Sequence, residues 1–570
     1  MTRRRDGFGL RLLVLLTVLV TLILPILAGL AQTAAVAFGH LPAIGQGGFT
    51  FDPWRQLLSM PGARSALISM VVTGVVATAL SLAMALAVVA EAQRRIGAGL
   101  LSRLAVPLLA APHAAMAIGL AFVIAPSGWA VRLVSPWLTG WQVPPDLPLV
   151  HDPWGGALIL GLAAKELPFF LLVILTALTQ FPAERQMAAA RSMGYGCAHV
   201  WLWILGPQIY RLIRLPVYVV LVFSLSVVDM SLILGPSNPP TLPVAVMRWL
   251  LSPEVRLVFA GAAGAMAIVL VAALMVGLWM LSERAMALAG RRWINRGSRG
   301  RALPLVQAAF ALSGVGVIIL AFLSLLSLMV WSFARQWRFP ETLPRVWSLE
   351  GWLMSGAAWR GPLLTSLGLG LVTAALALTL TIIWLEAEDR GHLPRARWAE
   401  ALIYLPLMVP QIALLYGLQI VALRLGISGG IGAVVWVQAI YVFPYVMIAL
   451  SDPWRAFDQR MLQMAALLGA GPWRRLFRVR LPCLLGPIMT ATAIGFSVSV
   501  AQYLPTLFLG EGRVATLTTE AVTLSSGADR RIAAIYGLLQ TILPLLCYAL
   551  AIAVPRMRFR NRRALSGAVS

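Results

Sequence analysis

Met187-Ala188-Ala189-Ala190-Arg191-Ser192-Met193-Gly194, followed by Ile204-Leu205-Gly206-Pro207, has a second copy far downstream. The second copy reads Leu462-Gln463-Met464-Ala465-Ala466-Leu467-Leu468-Gly469, followed by Val479-Arg480-Leu481-Pro482. Gly194 aligns with Gly469 and Pro207 with Pro482 at one common offset. Both copies are rich in good helix formers, carry arginines and lie between long apolar runs. A helix–glycine–proline unit that occurs twice in register implies that the chain is built from two related halves.

The surrounding sequence fixes the setting. Of 570 residues, 60% are hydrophobic and 12% charged, which excludes an ordinary soluble domain. A helix needs ~20 apolar residues to cross a bilayer. Runs of that length occur at about 10–31, 64–90, 104–126, 156–180, 214–235, 257–281, 303–331, 363–385, 399–422, 430–450, 485–510 and 532–555. Lipid cannot satisfy exposed backbone groups, so these runs are read as helices and the chain as an all-α polytopic membrane protein of about twelve spans. The first run follows Arg3-Arg4-Arg5 like a secretory signal, but its apolar stretch is too long for one and is expected to remain as a span.

The formal charge of +24 is a topology signal. Arginines crowd alternating loops: Arg94 and Arg95, Arg185 and Arg191, Arg284 through Arg301, Arg390 through Arg397, Arg455 through Arg480, and Arg556 through Arg563. The opposite loops hold chiefly Arg335, Arg338, Arg345 and Arg360. The positive-inside rule then places both termini and both repeated segments in the cytoplasm. A nucleic-acid partner would call for a basic groove interleaved with aromatics, which this pattern does not offer. Cys197, Cys483 and Cys547 form no disulfide framework.

Self-similarity extends through both halves. The Arg- and Gly-rich stretch 291–302 separates a first module, 1–290, from a second, 303–570, each with six spans. Glu91-Ala92-Gln93-Arg94 resembles Glu386-Ala387-Glu388-Asp389-Arg390, and Pro112 through Gly119-Leu120 parallels Pro410 through Gly417-Leu418. Pro168 matches Pro444, and Leu234-Gly235 matches Leu509-Gly510. Six spans per half give both copies one orientation, the parallel-repeat arrangement. Pro112, Pro168, Pro410 and Pro444 are expected to kink their spans. Trp129, Trp137, Trp337, Trp352 and Trp359 fall in or near the longer non-cytoplasmic loops, as an interfacial belt or as a docking surface for a periplasmic protein.

Reaction chemistry is sparse. Lys165 is the only lysine, and no G-x-x-x-x-G-K-[ST] phosphate loop surrounds it. His40, His113, His151, His199 and His392 show no metal-ligand spacing. Intramembrane polar residues are costly and mark pathways or packing pairs. Lys165-Glu166 in the fourth span, Asp229 in the fifth and its counterpart Gln502 in the eleventh are therefore the pathway-lining candidates.

The repeated segment resembles the EAA loop of the inner-membrane permease subunits of bacterial ABC importers, whose pattern is E-A-A-x-x-x-G and then I-x-L-P. Copy one supplies Ala188, Ala189, Ala190, Gly194 and Pro207; copy two supplies Gln463, Met464, Ala465, Gly469 and Pro482. Ala188 and Gln463 stand where the pattern has glutamate, and Gly206 where it has leucine. Gln502-Tyr503-Leu504-Pro505-Thr506 resembles a further family stretch, with Gln502 in place of its acidic residue. The resemblance, which spans nearly the whole chain, is to permeases with two modules fused, in the iron(III), thiamine and polyamine-like group. It implies docking of both segments onto a cytoplasmic ABC ATPase dimer that carries the ATP and Mg, a periplasmic or lipid-anchored substrate-binding protein on the other face, and no cofactor in this chain. The rival reading is an ion-coupled secondary transporter with six plus six parallel spans, using Lys165, Glu166 and Asp229 as its ion site.

Overall fold

The computed structural model describes residues 16–95, 98–295, 303–353, 358–390, 397–527 and 529–559, together with Val14. The extreme amino terminus, most of the 291–302 stretch, Arg395 and Arg560 through Arg563 lie outside the described residues. Helices dominate. The sheet present is a two-stranded antiparallel hairpin of Ala334–Gln336 with Val346–Trp347.

In the first half the main helices are α1 (Leu24–Ala37), α2 (Ala63–Arg95), α3 (Ala98–Ala110), α4 (His113–Ile124), α5 (Gly156–Leu178), α6 (Ala183–Ser192), α7 (Gly206–Ser226), α8 (Asp229–Leu234) and α9 (Val255–Asn295). In the second half they are α10 (Leu303–Phe333), α11 (Arg360–Asp389), α12 (Arg397–Met408), α13 (Gln411–Arg424), α14 (Ile431–Arg455), α15 (Gln459–Leu467), α16 (Leu485–Ala501), α17 (Leu504–Gly510) and α18 (Arg530–Arg558). Among the described residues, ten helices are long and apolar enough to cross a membrane, and two bent pairs raise the number to twelve.

Several boundaries differ from the sequence reading. The expected third span, 104–126, is interrupted at Ala111-Pro112, and the apolar stretch long enough to cross runs from His113 to Val134. The ninth breaks at the matching place, where 402–408 and 411–424 meet at 108°. Proline lacks an N–H and biases the preceding residue away from helix, so Pro112 and Pro410 start new helices. Pro168 and Pro444 instead lie within uninterrupted helices. The fifth span begins at Cys197, inside the expected loop, and stops at Ser226, with Asp229–Leu234 separate. The eleventh stops at Ala501 rather than running to 510. Helix α9 continues into the Arg-rich stretch as far as Asn295.

The halves interlock through their first spans. Helix α1 packs on α13 of the other half, and α10 packs on α4. Close approach rests on glycine at two matching places. A Cβ on Gly417 would lie 1.8 Å from the Gly29 carbonyl oxygen, and one on Gly119 would lie 2.2 Å from that of Ser324. Small residues let helix backbones meet where lipid supplies no hydrophobic drive. Each crossing is tied by a hydroxyl: Thr33 Oγ1 donates to the Ala413 carbonyl at 2.6 Å, and Ser327 Oγ to that of Gly119 at 2.9 Å.

Candidate functional site

The two repeated segments adopt the same backbone course. Helix α6 is made of Ala, Gln, Met, Glu and Arg, with Glu184 in its first turn and Arg191 in its last, as the helix dipole favours. Helix α15 is capped by Asp458, whose side chain accepts from the Arg460 N–H at 2.9 Å. Each ends on a left-handed glycine, Gly194 at φ +81° and Gly469 at φ +79°. Tyr195 N–H then donates to the Ala190 carbonyl at 3.1 Å, and Ala470 N–H to that of Ala465 at 2.9 Å. This is a glycine C-cap closure, and it needs the positive φ that L side chains resist. Beyond it lie matching π-helical turns, Trp201–Leu205 and Leu476–Arg480, just ahead of Pro207 and Pro482.

The two segments present different surfaces. Ala188 and Ala189 are exposed, whereas Ala190 is buried. Helix α15 exposes Gln463, Met464, Leu467 at 88% and Leu468 at 87%, and Ala465 is half-buried. Pro207 and Pro482 are exposed.

The two segments are anchored by different chemistry. Two places before the proline, copy one has Leu205, fully buried among Val200, Trp201 and Ile209. Copy two has Arg480, 2% exposed. Its guanidinium pairs with Glu386 at 3.3 Å and with Asp389, donates to the Trp454 carbonyl at 3.2 Å, and lies 4.2 Å from the Trp454 ring. Arg390 also pairs with Glu386 at 2.7 Å, and Arg455 with Glu388 at 3.2 Å. This cluster fastens the second segment to the end of α11. Sequence reasoning recorded Glu386 and Asp389 only as part of a repeat, and Arg480 only as a topology charge within the second repeated copy.

The intramembrane candidates gather at helix breaks. Lys165 on α5 is buried, and its ammonium donates to the carbonyls of Leu109 at 2.9 Å, Leu108 at 3.4 Å and Ala111. These are the carbonyls that α3 leaves unpaired where it stops before Pro112. Lys165 therefore caps a broken span. Glu166 is buried beside it, and Lys165 lies within electrostatic reach of both Glu166 and Asp229. Across the seam between halves, Tyr445 lies within electrostatic reach of Glu166 and Tyr503 within that of Asp229. Asp229 opens α8 after the extended residue Val227. Gln502 is itself extended at the matching break between α16 and α17.

Charge is confined to the first half of this centre. With Pro168 and Pro444 in register, Lys165 corresponds to Tyr441 and Glu166 to Val442. The second half instead holds a neutral network. Gln502 Nε2 donates to the Gln438 carbonyl at 3.3 Å, Gln438 Nε2 to Thr506 Oγ1 at 3.0 Å, and Ser499 Oγ to Gln438 Oε1 at 2.5 Å. Among the described residues, the buried Gln502 Oε1 has no hydrogen-bond partner. Gln438 and Ser499 escaped the sequence reading because isolated neutral polar residues in apolar runs carry no spacing signal, and Thr506 enters it only within the stretch that follows Gln502. Among the described residues, no group of three or more His, Cys, Asp or Glu is placed to hold a metal ion.

Comparison with known proteins bears on these features. Residues 392–558 match the family described as binding-protein-dependent transport system inner membrane component. The chain is 34% identical over 454 residues to the inner membrane ABC transporter permease protein YnjC of Escherichia coli (strain K12), covering 79% of this chain and 80% of that protein. It is 25% identical over 478 residues to the thiamine transport system permease protein ThiP of the same organism, covering 81% and 82%. A shorter match, 27% over 207 residues, joins 35% of this chain to 77% of the putative 2-aminoethylphosphonate transport system permease protein PhnV of Salmonella typhimurium (strain LT2). The interlocked two-half membrane fold and these alignments give one conclusion: the chain belongs to the ABC transporter inner-membrane permeases, as a fused two-module transmembrane permease of the importer type.

Proposed function

We propose that the two repeated segments are the ATPase-coupling elements of this permease, and that substrate crosses between the halves at the four helix breaks. The matched geometry of Gly194 and Gly469 carries the proposal. Two equivalent exposed helices, each ending on a left-handed glycine, fit a dimeric partner with two equivalent grooves. The arginine distribution supports a cytoplasmic position for both segments and both termini. The ATP and Mg belong to that partner, a cytoplasmic ABC ATPase dimer, and a periplasmic or lipid-anchored binding protein delivers substrate to the opposite face. The division into modules 1–290 and 303–570 joined by 291–302 follows the repeat. Closure of the ATPase would move α6 and α15 together and rock the halves about the centre formed by Glu166, Asp229 and Gln502, with Lys165 holding the α3 break. Import coupled to another subunit accounts for the duplicated segments, which ion-coupled transport by this chain alone leaves unused.

The test is replacement of Gly194 and Gly469 by valine. A β-branched residue at positive φ costs roughly 1–2 kcal/mol at each site. Membrane insertion is expected to persist, while co-purification of the ATPase dimer and ATP-dependent uptake are lost. Normal uptake by the double variant would remove the coupling assignment.

A further inference from the structure

The face opposite the repeated segments carries more positive charge than its loops announced. Beyond Arg335, Arg338, Arg345 and Arg360, the structure brings Arg132, Arg530 and Arg531 to this end of the molecule. Arg132, Arg335, Arg530 and Arg531 line one cavity of about 600 Å3, together with Asp529 and Trp331. The cavity lies at the seam of the halves, where the C-terminal end of α10, the N-terminal end of α18 and the turn after α4 converge.

Three of these arginines are already engaged. Arg132 is 3% exposed and donates to the carbonyls of Ser127, Arg338 and Glu341 at 2.8–3.1 Å, with its guanidinium 4.9 Å from the Trp337 ring. Arg531 is paired with Asp529 at 2.8 Å, and its hydrogen bonds hold the Asp529 carboxyl below the usual carboxylate range. Arg335 is paired with Glu350 at 3.0 Å. Arg530 differs. It is half-buried, 5.4 Å from the Trp331 ring and 5.8 Å from that of Phe122, and has no carboxylate or hydrogen-bond partner among the described residues. Asp529 and Glu350 answer Arg531 and Arg335, and Arg132 spends its fork on carbonyls, so Arg530 is the charge left uncompensated at the cavity. A guanidinium held on aromatic faces keeps its N–H fork free for a planar or tetrahedral oxyanion.

The depth and outlook of the cavity identify the anion. The helices that frame it are peripheral: the apolar windows of α10 and α18 are 33% and 28% buried, the lowest among the candidate spans. Their outward residues Ile319, Leu326, Met329, Ile542 and Leu546 are exposed, as lipid-facing side chains are. Trp331 and Trp337 mark the level at which aromatic side chains meet the headgroup region. We propose that this cavity binds the phosphate of an anionic phospholipid in the leaflet opposite the repeated segments. The phosphate meets Arg530, and the acyl chains run along the seam of α10 and α18. A basic pocket between spanning helices at headgroup depth has the chemistry such lipids require.

The experiment is native mass spectrometry of the full chain, delipidated in detergent and titrated with phosphatidylglycerol, phosphatidylcholine or inorganic phosphate. Wild type is expected to bind one phosphatidylglycerol more tightly than any phosphatidylcholine. Arg530→Gln is expected to weaken that first event at least about five-fold, whereas Arg530→Lys retains it. Arg360→Gln, on the same face outside the cavity, is expected to leave it unchanged. Equal binding by wild type and Arg530→Gln overturns the proposal. Displacement of the lipid by millimolar inorganic phosphate overturns the lipid assignment and makes this a free-anion site. Should Arg530→Gln not accumulate, a photoreactive phosphatidylglycerol applied to the wild type must label the ends of α10 or α18. Labelling elsewhere rejects the site.

Discussion

Arg480→Leu gives the second repeated segment the residue that the first already has at Leu205. The change removes a guanidinium 2% exposed, with two carboxylate partners, one carbonyl acceptor and the Trp454 ring beneath it. Breaking a buried pair from one side costs about 3–5 kcal/mol, because the partner charge is left uncompensated. Here the lower end applies. Glu386 keeps Arg390 at 2.7 Å, and Asp389 keeps the Trp454 indole N–H at 3.1 Å. A loss of about 3 kcal/mol, confined to the contact between this segment and the end of α11, raises its local opening about a hundredfold. Hydrogen–deuterium exchange of the solubilised full chain reads this directly. Amides of Leu476 through Leu484 are expected to lose about two decades of protection, while those of Trp201 through Ile209 do not change. Adding Glu386→Gln and Asp389→Asn removes the stranded charges and is expected to restore much of the protection. Equal loss in both segments, or no loss in either, would refute the view that the two are anchored by separate means.

Gly417→Ala places a Cβ 1.8 Å from the Gly29 carbonyl oxygen, and both atoms belong to helix backbones that cannot swing aside. We expect a penalty near the upper end of the 1–3 kcal/mol typical of overpacking, about 3 kcal/mol, seen as a lower thermal midpoint. Gly368→Ala, which meets nothing within 4 Å, is expected to leave the midpoint unchanged. Lys165→Met strands the terminal carbonyls of α3 and is expected to cost about 2 kcal/mol, again as a lower midpoint. Unchanged stability with altered transport would instead make Lys165 a pathway residue.

The sequence carried the large-scale order of this protein because that order is written in period and composition. Twelve apolar runs correspond to ten spanning helices and two bent pairs. The repeat joining Gly194 to Gly469 reappears as one backbone course. Pro112 and Pro410, expected to kink their spans, instead begin new helices. Pro168 and Pro444 did not break theirs, since one missing N–H within a packed helix is tolerated by its neighbours. What stayed hidden depends on distant partners. Lys165 reads as half of an ion pair with Glu166 until the end of α3 and Ala111 beyond it supply three carbonyls. Arg480 reads as a topology charge until α11 brings Glu386 and Asp389. Arg530 sits at the start of an apolar helix, and only the neighbouring rings of Trp331 and Phe122 distinguish it. The exchange of first spans is equally silent, because an apolar helix suits either half.

That exchange sets a timetable for synthesis. When α10 leaves the ribosome its seat on α4 already exists, so the second crossing forms as soon as its helix enters the bilayer. Helix α1 has α9 of its own half to pack on but must wait for α13. Thr33 and its acceptor Ala413 are 380 residues apart, a wait of roughly 20 to 80 s at ordinary elongation rates. Throughout that interval the Gly29 surface faces lipid or a chaperone in place of Gly417. The two interlocks are alike in space and unlike in time.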